Sequence, residues 1–223
     1  MNRMARRLSE HVVPVTCCVV FAVYVAWIGA WLLKGTLDRH VVWVTSSGGA
    51  FAYWTVMKLL LWIVPSVVLI RLSGRPVRAA FEMQRLRSVL GWGVGTGLAL
   101  GTISLIAKAV AHRPLLSLTL SWPQFSVLVV APALEEFMFR GAVLGNLTQR
   151  YRFLLANTLT AALFLGMHLP GWHFQGHLWV NLTAPVGGAL SIFLLGWVFG
   201  LVADKSKSVA ASMIAHSLNN LFS

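Results

Sequence analysis

Two adjacent carboxylates, Glu135 and Glu136, stand in the middle of an apolar run, and Arg140 follows the second of them by four residues. A charged side chain at the centre of a bilayer costs at least about 3 kcal/mol, so such groups persist where something compensates or uses them. Glu136 and Arg140 share one helical face in the favourable order, carboxylate first, and can neutralise each other. Glu135 is turned about 100° from its neighbour, has no such partner on its own helix, and must look to another span. Two further runs offer imidazoles: His168, one turn after Phe164, and His216, one turn before Asn220 on the same face. Each of these polar residues alone reads equally well as glue between membrane helices. Taken jointly, a carboxylate pair with a built-in arginine and imidazoles on two more helices supply a base, proton-transfer groups and hydrogen-bond donors in one low-dielectric place.

The elements that must carry these residues are spelled out by composition. Hydrophobic residues make up 57% of the 223 positions and charged ones 11%, roughly half the charge of an ordinary soluble domain. The apolar residues fall in runs of the length, about 20 residues, that a helix needs to cross a hydrocarbon core of about 30 Å. The expected fold is an all-α polytopic bundle of about seven spans forming a single integral membrane domain over 1–223. Its spans fall at about Val12 to Leu33, Ala50 to Ile70, Ser88 to Ala111, Trp122 to Leu147, Phe153 to Leu169, Leu182 to Val202 and Ser208 to Phe222. The third carries Gly91, Gly93, Gly95, Gly97 and Gly101, small residues that let helix backbones approach closely. Met1 to Arg7 resembles the charged start of a secretory signal, but the apolar run after it is too long, and the segment reads as leading into a retained first span.

A net charge of +12 does not mark a nucleic-acid binder, because Lys and Arg cluster between apolar runs instead of along one face. Arg3, Arg6 and Arg7, the cluster from Arg71 to Arg87, Arg150 with Arg152, and Lys205 with Lys207 fall on one side of the membrane; Lys34, Arg39 and Arg113 fall opposite. The positive-inside rule then places the amino terminus inside and the carboxyl terminus outside. Between the second and third spans, Arg75, Arg78, Arg85 and Arg87 alternate with Val77, Phe81, Met83 and Leu86, as in a basic helix lying among headgroups or an ordinary cytoplasmic loop. Cys17 and Cys18 are adjacent within the first run, where their side chains diverge, so no disulfide framework is expected.

Glu135-Glu136-Phe-Met-Phe-Arg140 resembles the EExxxR motif, Phe164-Leu-Gly-Met-His168 the FxxxH motif, and His216-Ser-Leu-Asn-Asn220 the HxxxN motif. They come in the order seen in the CPBP family, which comprises CAAX prenyl endopeptidases and bacteriocin-processing and self-immunity proteins. The resemblance covers about Trp122 to Ser223, a peptidase core, and leaves the spans over about 12–111 as accessory. It implies an intramembrane endopeptidase of a bacterial cytoplasmic membrane that cuts a protein or peptide carrying a transmembrane or lipidated segment. In that reading Glu135 is the general base, His168 helps to orient and deprotonate the water, His216 and Asn220 stabilise the oxyanion, and Glu136, Arg140 and Phe164 support the site.

Three other readings compete. Two histidines and a glutamate are a credible zinc set, which His173 and His177 could join, but no HExxH helix is present, and the expectation is a site without cofactor or metal. His173 and His177 fall, with Trp172 and Trp179, in what reads as an interfacial loop from Pro170 to Trp179. A proton-coupled transporter would bury similar residues but would show paired broken helices in two related halves, and no such symmetry is visible. A non-catalytic immunity or scaffold protein of the same fold would use the bundle as a binding surface. At a rise of about 1.5 Å per residue, Glu135 lies about 18 Å from the outer face, with His168 and Asn220 nearer it, so the cavity is expected to open outward or laterally.

Overall fold

Where no water is available, backbone N–H and C=O groups must be satisfied within the chain, and helices do this segment by segment. The structure, a computed structural model describing residues 11–82, 85–116 and 119–223, is helical accordingly, with no strand among the described residues beyond an isolated bridge of Phe81 with Ser208. Arg3, Arg6 and Arg7, the signal-like start they belong to, and Met83 lie outside the described residues. Helix α1 spans Val12–His40, α2 Ser47–Leu72, α3 Leu86–Val110, α4 residues 122–147, α5 Phe153–Phe174, α6 Ala189–Ser206 and α7 Val209–Phe222. Among the described residues five helices, α1, α2, α3, α5 and α6, are long and apolar enough to cross a membrane. Helix α4 is unbroken but changes winding along its length, and α7, at 14 residues, reaches only about 21 Å.

The starts of three helices are fixed by serines that cap free backbone N–H groups. Ser46 accepts from Gly49 at 3.0 Å, Ser121 from Gln124 at 3.4 Å and Ser208 from Ala210 at 3.3 Å. Prolines set the winding further along. A proline brings no N–H and its ring clashes with the carbonyl four residues back, and in α2 and α4 the turn before the proline widens to π geometry. In α2 the widened turn is Leu59–Ile63, ahead of Pro65; in α4 it is Ser126–Val130, ahead of Pro132. A second π segment in α4, Phe137–Leu144, contains Arg140 and has no proline to explain it. Such widened turns are frequent at functional sites.

Several expected boundaries move. The fifth span was expected to end at Leu169, yet α5 continues through Pro170 to Phe174, so Trp172 and His173 are helical and only 175–177 form a turn before a short helix, Leu178–Thr183. The sixth, expected from Leu182, begins at Ala189, because Pro185 and the left-handed Gly187 (φ +77°) break the helix between them. Among the described residues between α2 and α3 no basic headgroup helix forms: Gly74 (φ +78°) and Pro76 turn the chain, and Val77–Ala80 closes a 3-10 turn.

Helix α4 lies at the centre of the bundle, and residues 135–144 are all buried. Helix α1 is tied across to its neighbours by tyrosines: Tyr53 donates to the Ala30 carbonyl at 2.5 Å, and Tyr24 donates to that of Leu163. Helix α7 packs most extensively on α3. The contact is a glycine stripe: a Cβ at Gly93 would stand 2.9 Å from the Ala211 carbonyl oxygen, one at Gly97 2.6 Å from Leu218, and one at Gly101 would clash with the edge of the Phe222 ring. Gly91 and Gly95, off that stripe, have nothing within 4 Å. The face of α7 turned away from α3 carries Ser212, His216 and Asn219, all buried.

Candidate active site

The adjacent glutamates of α4 face different surroundings, as a turn of about 100° between them requires. Glu136 is fully buried and its Oε1 accepts from Arg140 Nη1 at 3.0 Å, four residues on, and stands 2.9 Å from His216 Nδ1 of α7. Arg140 also donates through Nη2 to the Gly196 carbonyl of α6 at 2.6 Å. Its guanidinium carbon lies 4.6 Å from the centre of the Phe164 ring and 5.8 Å from that of Phe199. Phe199 stacks on His216, centroids 4.6 Å apart and planes 18° from parallel. Gly196 makes the approach possible, since a Cβ there would meet Phe164 at 2.9 Å and Arg140 at 3.4 Å. This sealed group thus ties α4, α5, α6 and α7 together around two charges that neutralise each other.

Glu135 opens instead on a cavity of about 370 Å³. His168 of α5 lines the same cavity, its Nδ1 2.9 Å from the Phe164 carbonyl oxygen. That contact orients the ring and leaves Nε2 as its free nitrogen. The opposite wall comes from the accessory helices: Trp27 and Trp31 of α1 with Trp54, Lys58 and Trp62 of α2. The Trp27 ring packs against Trp62 at 4.7 Å and against Trp54 at 5.3 Å. Lys58 Nζ donates to Glu135 Oε1 at 3.1 Å. Phe164 stands between the two groups, its ring centre 4.9 Å from that of His168 and 6.2 Å from that of His216.

The predicted residues are therefore brought into one neighbourhood but not into one ring of contacts. Glu135 and His168 share the cavity. His216 bonds to Glu136, not to Glu135, though the Glu135 charge acts on both histidines. Asn220 donates to the Val127 carbonyl at 2.9 Å, on the first π turn of α4, and Val127 in turn lines the cavity. His173 and His177 do not join them: among the described residues no three His, Cys, Asp or Glu side chains gather as a metal would need.

Sequence reasoning missed Lys58, Phe199 and the tryptophan wall. A signal for Lys58 existed, since a lone lysine mid-span carries the same cost as a glutamate there. Phe199 gives no signal among so many apolar residues.

Residues 116–222 match the family model described as type II CAAX prenyl endopeptidase Rce1-like. No curated protein and no solved structure matches the chain. The matched segment holds all three motifs and the whole of α4 to α7, and over it this integral membrane chain is similar to the Rce1-like CAAX prenyl endopeptidases.

Proposed function

We propose that the protein is an intramembrane endopeptidase in which Glu135 activates a water within the cavity between α1, α2, α4 and α5. The observation that carries this reading is that Glu135 and His168, from different helices, face one cavity of about 370 Å³ while the neighbouring Glu136 is sealed away. In the step, the water oxygen bonds to the peptide carbonyl carbon, the carbonyl π pair moves onto oxygen, and the water proton passes to Glu135. The same proton then goes to the leaving nitrogen as the C–N bond breaks, which returns Glu135 to its starting form. His168 orients the water through Nε2.

The oxyanion falls to His216 and Asn220. With Nδ1–H bonded to Glu136, His216 can donate from Nε2 only as an imidazolium, for which Glu136 is the counter-ion. Asn220 spends one amide hydrogen on Val127 and keeps the other. The substrate is a protein or peptide held in the membrane by a transmembrane or lipidated segment, so that its scissile bond reaches the cavity from the side.

The face follows from charge. Arg75, Lys207 and Phe153 meet at one end of the bundle, around a smaller cavity of about 250 Å³, and the tryptophan-lined cavity lies towards the other. If the basic end is cytoplasmic, as the positive-inside rule gives, cleavage takes place in the outer half of a bacterial cytoplasmic membrane. A cysteine placed at Trp172 that labels only from the cytoplasm would reverse that assignment.

The test of the function is comparative proteomics of membranes from cells with the unaltered protein and cells with Glu135→Gln. A precursor should accumulate uncut in the second and name the substrate and its cleavage point. Identical membrane proteomes, with the variant present at normal level, would mean that the bundle binds without hydrolysing.

A further inference from the structure

Lys58 is the twelfth residue of α2, about 17 Å from its start and about 21 Å from its end at 1.5 Å per residue. That is too deep for a lysine to reach either interface by snorkelling. An ammonium held there costs about 3 kcal/mol or more unless something in the protein answers it. The answer is Glu135, 77 residues along the chain, whose Oε1 accepts from Nζ at 3.1 Å, with the Trp62 ring centre 4.8 Å from the ammonium on another side.

This ion pair differs in kind from the one next to it. Glu136 and Arg140 have side chains that are 0% exposed, and their charges are walled off by Phe164 and Phe199. The side chains of Lys58 and Glu135 are 14% and 11% exposed, and that exposure is to the cavity both of them line. A pair that only braces helices needs no opening. The other cationic or ionisable groups around Glu135 meet different partners: His216 meets Glu136, His168 meets the Phe164 carbonyl through Nδ1, and Arg140 meets Glu136 and Gly196. Lys58 is the group that meets the Glu135 carboxylate directly.

We propose that Lys58, on an accessory span outside the matched segment 116–222, is the positioning residue of Glu135. It holds Oε1 towards the α2 wall so that Oε2 is the oxygen presented to the water. Its charge also stays in place while the negative charge moves from the carboxylate to the substrate oxyanion, so the cavity is never left with an unanswered ion. The inference rests on Glu135 being the base. It adds that the catalytic geometry is incomplete without α2.

The experiment uses the full chain in detergent and an internally quenched peptide ending in a farnesylated CAAX sequence. Lys58→Met should lower kcat by about 10²-fold, the size that a misplacement of about 1 Å costs, with KM within about twofold. Lys58→Cys should be equally impaired, and aminoethylation with bromoethylamine, which rebuilds a lysine-like ammonium, should recover most of the rate; unaltered protein treated alike controls for Cys17 and Cys18. In thermal melts, Lys58→Met should lower Tm, and adding Glu135→Gln should restore it by removing the stranded carboxylate. Unimpaired turnover in Lys58→Met, a loss that aminoethylation does not recover, or melting shifts that simply add would overturn the proposal. If the unaltered protein leaves the peptide whole while the melting shifts are coupled, Lys58 does hold Glu135 and it is the hydrolytic reading of this substrate that fails.

Discussion

Glu136 lies between Arg140 and His216, and each contact neutralises part of a charge that has no access to water. Breaking such a pair from one side leaves the other ion stranded in a low dielectric, which costs about 3–5 kcal/mol, whereas removing both charges together can be close to neutral. Glu136→Gln and Arg140→Met should therefore each lower the melting temperature of the purified protein sharply, and the double variant should recover much of the loss. Additive losses would show that the pair is not the brace described. The Glu136–Arg140 pairing was legible in the sequence because four-residue spacing on a helix is local information. Which glutamate His216 would choose was not legible, since that depends on how α7 is rotated against α4.

At the scale of the helix, His216 is placed by residues that never touch it. The stripe Gly93, Gly97 and Gly101 lets α7 settle against α3, and this directs the face bearing Ser212, His216 and Asn219 into the bundle. Forcing side chains into such a contact typically costs about 1–3 kcal/mol. Gly97→Leu should therefore destabilise the protein by about that much, as read in detergent melts, and should depress turnover through a displaced His216. Gly95→Leu, two residues away with nothing within 4 Å of its Cβ position, should leave both nearly unchanged. Equal effects of the two would refute the stripe. The sequence showed the glycines but not which of them face α7, because a run spaced every two residues does not declare a helical face. The widened turns were likewise hidden, although Pro65 and Pro132 marked where two of them had to end. The early start assigned to the sixth span came from counting apolar residues straight through the break at Pro185 and Gly187.

The whole bundle is organised along its long axis. At the basic end Arg75 folds inward, donating to the Gly141 carbonyl at 3.0 Å and to Asn146 Oδ1 at 2.7 Å, while Asn146 reaches Thr16 of α1 at 3.1 Å. Burial pushes the Arg75 guanidinium down to about 10, which leaves it cationic at neutral pH. One arginine thus locks the ends of α1, α2 and α4 together, and the cavity with its water-accessible ion pair lies towards the opposite end. A locked base and an open half suit the proposed site, which would have to admit a membrane-held chain without losing the alignment of α4. The division between an accessory region and a peptidase core is correspondingly less sharp than the motifs suggested, since α1 and α2 build one wall of the cavity. The claim on which the account rests is that the cavity carboxylate, not its sealed neighbour, drives hydrolysis. Its most direct measurement is the cleavage rate of the accumulated precursor by purified unaltered protein and by Glu135→Gln at matched melting temperature. The account predicts a fall of about 10²–10⁴-fold, the contribution typical of a general base; cleavage by Glu135→Gln at the unaltered rate would contradict it.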